Sequence, residues 1–92
     1  MYKIILSCDG VTKSAGAEGA KNIVEEFQHR PWHKNVTCEW KNTKLILEAE
    51  NEFDSTGDAL IDEFSDVISA SITEQFDGNI VIVSITESKT NA

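Results

Sequence analysis

Both histidines, both tryptophans, the single proline and the single arginine fall within one stretch, FQHRPWHKNVTCEW, from Phe27 to Trp40. His29, His33 and Cys38 are imidazole and thiol groups of the kind that hold zinc. A four-residue spacing of histidines serves a metal only on one helical face, and Pro31 between them ends the helix. The stretch reads instead as a helix-to-strand corner. In that reading Trp32 plugs the end of the core and Trp40 packs from a strand under the first helix, or else Trp32, His29 and Arg30 are exposed as contact residues. No metal or cofactor is expected.

Three other groupings carry potential chemistry. SCDGVTKSAG, Ser7 to Gly16, could present free N–H groups to a phosphate at a helix start, but it lacks the Gly-Lys-Ser/Thr ending of a P-loop and the spacing of GxGxxG. Cys8 as a nucleophile needs an adjacent base, and the sequence places neither histidine beside it. Glu48 and Glu50 form a carboxylate pair, yet general acid–base work needs a dry cleft, and a run of outward acids is ordinarily solvated. A binding protein rather than an enzyme is therefore expected.

The elements that position these residues follow from periodicity. Tyr2 to Cys8 is β-branched and apolar and ends at Asp9-Gly10, which predicts a strand. Ala20, Ile23, Val24 and Phe27 recur at helical spacing, predicting an amphipathic helix entered near Ser14 and stopped near His29 by Pro31. Val36, Cys38 and Trp40 alternate with polar residues, Asn42-Thr43 offers a turn, and Leu45, Leu47 and Ala49 alternate again, which predicts a hairpin. Leu60, Ile61, Phe64, Val67, Ile68 and Ile72 form the stripe of a second helix capped by Asp54 or Ser55. Asp77 to Asn79 turns the chain into a last strand, Ile80 to Ile85.

The predicted order β-α-β-β-α-β implies an α+β, ferredoxin-like fold: a four-stranded antiparallel sheet with two helices on one face. With 92 residues the chain has room for one domain, 1–92, folded over 1–87 with a frayed tail at 88–92. No signal peptide and no membrane-length apolar run is visible, which makes the cytoplasm the expected location. Cys8 and Cys38 are too few for a disulfide framework and are expected as thiols.

Net charge is −8, and its distribution is uneven. From Leu45 to Ser88 there is no lysine or arginine and there are eleven acids, whereas the first 44 residues carry seven bases against five acids. Such a field disfavours nucleic acid and acidic membranes and attracts a basic protein. Glu48, Glu50, Glu52, Asp58, Asp62 and Asp66, with Trp32 and Arg30, are the expected partner-binding residues of an acidic inhibitor, resembling in kind an immunity protein, an antitoxin or a nucleic-acid mimic. The alternative is a dimeric ligand-sensing or regulatory subunit that pairs through Ile5, Ile46 and Ile82, or Val83 in place of Ile82, on the open sheet face.

Overall fold

The structure, a computed structural model, describes residues 1–71 and 78–87. Along the chain run β1 (Tyr2–Cys8), α1 (Lys13–Phe27), β2 (Lys34–Lys41), β3 (Lys44–Asn51), α2 (Asp58–Ser71) and β4 (Ile80–Glu87). The four strands form one antiparallel sheet in the order β2-β3-β1-β4. This is the ferredoxin-like α+β arrangement that the order of elements predicts. Ile72, Asp77 and the 88–92 tail, each given a role above, lie outside the described residues.

Strand alternation sorts the sheet into a packed and an open face. Ile4, Leu6 and Cys8 of β1 and Leu45, Leu47 and Ala49 of β3 are buried against Ile23 and Phe27 of α1 and Leu60, Phe64, Val67 and Ile68 of α2. The open face is laid out in cross-strand rows: Glu39, Ile46, Ser7 and Val81; then Thr37, Glu48, Ile5 and Ser84. Asn42 and Thr43 both take positive φ, 50° and 64°, as a two-residue turn matched to the strand twist requires.

The start of α1 lies one residue earlier than its apolar pattern indicates. Thr12 is the cap, its Oγ1 accepting from the Ala15 amide at 3.4 Å, and Ser14 is already helical. Gly16 and Gly19 are buried on the face that α1 turns to the sheet. A Cβ at Gly16 would stand 2.0 Å from Trp40 Cδ1, so the missing side chain is what admits the indole. Trp40 then donates from Nε1 to the Val11 carbonyl at 2.8 Å, tying β2 to the loop before α1.

Candidate functional site

The corner between α1 and β2 is joined to α2 by a chain of polar contacts that begins in the β3–α2 loop. Asn51 occupies the next core-facing position after Leu45, Leu47 and Ala49, and it is buried. Its Oδ1 accepts from the amides of Phe53 (3.1 Å) and Asp54 (2.8 Å). Asp54, also buried, accepts in turn from the amides of Gly57 (3.0 Å) and Leu60 (2.9 Å). A carboxylate at this end of α2 satisfies free N–H groups and complements the helix dipole. Gly57 at φ +83° lets the loop make the approach.

Because the Asn51 oxygen is committed to backbone amides, its Nδ2 is the atom that meets His33 Nδ1, at 3.3 Å. The amide donates, so Nδ1 accepts, and the hydrogen-bond pattern assigns the ring proton to Nε2. Nε2 lies 2.5 Å from Glu63 Oε2. Glu63 also receives Arg30 Nε at 3.2 Å and Trp32 Nε1 at 3.2 Å. Arg30 spans back to the Glu26 carbonyl at 3.3 Å and lies over the Phe27 ring at 5.6 Å. The His33 side chain has no exposed surface, and both its nitrogens face protein partners. The arrangement locks the corner onto α2, and it leaves no imidazole lone pair or proton turned toward solvent.

What this scaffold presents outward is aromatic. Trp32 is 48% exposed and Phe53 55% exposed, and each ring centroid lies 6.0 Å from that of His33. Trp32 therefore does not plug the core; Phe27 and His33, packed edge to face at 5.5 Å, fill that place. His29 is exposed while His33 is buried, so the two do not converge. Among the described residues no group of three or more His, Cys, Asp or Glu side chains is placed to hold a metal.

The acids separate into two sets. Glu48 and Glu50 lie on the open sheet face with partners, Glu48 with Lys3 at 3.5 Å and Glu50 with Asn35 at 2.6 Å. Asp58, Asp62 and Asp66 are exposed along α2, on the opposite layer, and form no ion pair with any described residue; Glu52 is exposed beside Phe53. Arg30 and Trp32 join the α2 set through Glu63. On the open face Ile5 and Ile46 share adjoining rows, but Ile82 pairs with Leu6 and belongs to the helix side; Val81 takes the open-face place beside Ser7.

The thiols are remote from this corner. Cys8 is raised above the ordinary thiol range by burial and by Asp9, and burial, then Glu39, then Cys8 push Cys38 up to about 12. Both are protonated at neutral pH, the form that is a poor nucleophile.

Phe53, Glu63 and the Asn51 link are parts of this corner that pattern reading passes over. Asn51 did carry a signal, a polar residue at a core-facing strand position. Phe53 carried another, an aromatic in phase with Leu45, Leu47 and Ala49 but two residues beyond the end of β3. No family model, no curated protein and no solved structure matches this chain. The class is set by the fold, a ferredoxin-like α+β protein. Since that plan serves many unrelated activities, function must be argued from the surface.

Proposed function

We propose that this chain is a non-enzymatic, acidic protein-binding module whose partner is a basic protein that it inhibits. The observation that supports the reading most directly is that two exposed aromatic rings, Trp32 and Phe53, flank His33, and that Trp32 and His33 both bond Glu63 on α2, the helix that carries the unpaired Asp58, Asp62 and Asp66. Aromatic residues are enriched among interface hot spots, where truncation costs about 2 kcal/mol or more. Unpaired like charges beside them raise the association rate with a cation and penalise anionic competitors. The binding surface is thus the α2 side, with Trp32, Arg30, Glu52, Asp58, Asp62 and Asp66; Glu48 and Glu50, on the other layer and already partnered, fall outside it.

A ligand-sensing role has two clefts in its favour, one of about 210 Å³ between the end of α1 and the start of β2, lined by Phe27, Arg30, His33 and Val36 among others, and one of about 320 Å³ lined by Asn22, Glu25, Glu26, His29 and Ala70. Ligand sites are commonly about 300–1,000 Å³. The first cleft is smaller, and the hydrogen-bonding atoms of His33 and the Arg30 Nε already bind protein groups; the second is at the lower end of that range and has one apolar lining residue, Ala70, where ligand sites are mostly apolar. The protein-binding reading is the stronger.

The test is affinity capture on the immobilised chain from nuclease-treated lysate of the source organism, eluted by rising salt, followed by kinetics on the purified partner. The triple change Asp58→Lys, Asp62→Lys, Asp66→Lys should abolish binding chiefly by slowing association, and Trp32→Ala should speed dissociation, while Glu48→Lys has little effect. A triple variant that folds and keeps wild-type affinity overturns the reading.

A further inference from the structure

β2 and β4 are the two edges of the sheet, and they are built differently. β2 carries Lys34, Glu39 and Lys41, shifts register between Lys34 and Thr37, and holds Asn35 at φ 52°. Charged side chains of this kind deter another strand from adding, and they are the contrast between the edges, since β4 also shifts register, against β1. β4 has neither charge nor proline from Ile80 to Thr86, and Val81, Ile82 and Val83 are 48%, 41% and 58% exposed. Among the described residues no strand pairs with its outer edge.

From these contrasts we infer that β4 is an interface for β4 of a second copy of this chain, forming a twofold dimer with one continuous antiparallel sheet. The side pattern of β4 selects the occupant, and its neutrality marks where two copies can approach. With a net charge of −8, two copies repel one another over most of their surface, and Ile80 to Thr86 is a neutral segment within the acidic half. An antiparallel pair sends the two Glu87 residues to opposite ends, so the acids do not meet. A basic partner strand would find no charge on β4 to steer it.

The bulge in β4 supports the same arrangement. Val83 is skipped in the ladder to β1, which leaves Ile80, Ile82, Ile85 and Glu87 on the helix side and Val81, Ser84 and Thr86 on the open side. This pattern is its own complement when reversed. About a dyad between Val83 and Ser84, Ile82 faces Ile85, Ile80 faces Glu87 and Val81 faces Thr86, each pair on one side of the sheet. Association ends at two copies, because the only other sheet edge in the described structure, β2, is the protected one. A single strand pair covers less than the roughly 800 Å² per partner of a standard interface, which makes the contact a weak, reversible one.

Sedimentation equilibrium of the full chain from about 1 µM to about 1 mM, the span in which such a contact dissociates, tests the inference. A monomer–dimer equilibrium is expected, with the dissociation constant raised at least tenfold by Val83→Lys at an unchanged thermal midpoint and unaltered by Thr37→Lys on β2 or Ile46→Asp on the open face. If Val83→Lys does not fold, Val81→Lys serves in its place. Hydrogen exchange gives a second readout: β4 amides should gain protection as concentration rises, and β2 amides should not. A monomer throughout overturns the inference, as does a dimer that survives the β4 substitutions, whether or not Ile46→Asp abolishes it.

Discussion

Asn51 makes three contacts that no other side chain at its position would reproduce: two backbone amides on Oδ1 and the His33 ring on Nδ2. Truncation would leave buried donors and His33 Nδ1 without partners, each costing about 1–3 kcal/mol before relaxation. Asn51→Ala is therefore expected to lower stability by about 2–4 kcal/mol, measured by urea unfolding; an unmoved midpoint would mean that water replaces these bonds. The thiols bear on stability through pH. Cys38, pushed up to about 12, keeps its proton in the folded chain while the unfolded chain begins to lose it near pH 8.5. Stability from this group is complete below that point and declines as pH rises toward 12. Thermal midpoints from about pH 8 to about pH 11 should fall less steeply for Cys38→Ala than for the natural chain; parallel slopes would show that Cys38 does not contribute.

At the scale of elements, the question is what holds two helices in register with the sheet. α1 is seated by Gly16 under Trp40, and α2 by Asp54 at its first turn and Glu63 in its second. A glycine inside a helix costs about 0.5–1 kcal/mol relative to alanine, so alanine at an open site would stabilise. At position 16 the sign reverses, because the added Cβ would overlap the indole. Gly16→Ala should destabilise by about 2–3 kcal/mol, the range of an overpacked core, and part of that loss should disappear when Trp40→Leu is added. Additive effects of the two changes would place the conflict elsewhere. The proposed dimer likewise depends on one strand being uncharged and its counterpart at the far edge being guarded by charge.

For the whole molecule, the two functional proposals use different surfaces and are separable. The α2 side, with Trp32 and Phe53, is where salt should matter: partner association should slow as ionic strength rises past about 0.1 M, where the Debye length falls to about 10 Å. The β4 edge is neutral, and salt that screens the net charge of −8 should favour the dimer. No described helix is long and apolar enough to cross a membrane.

Local pattern carried much of this protein. Alternation in Leu45, Leu47 and Ala49, helical spacing in Leu60, Phe64 and Val67, and the stop at Pro31 settle the elements and their order, because side-chain periodicity and proline stereochemistry act within a few residues. Sheet order and handedness then follow from how few antiparallel connections that order permits. The corner was not legible in the same way. His33, Asn51 and Glu63 are separated by 18 and 12 positions, and only the packing of α2 over the sheet brings them into one polar chain. The same packing divided the acids between two layers and left Trp32 outside, while a one-residue bulge at Val83 moved Ile82 to the helix side. Alternation counts residues and has no term for an inserted one, so the faces beyond a bulge, like the partners of a buried polar group, are decided by tertiary contacts alone.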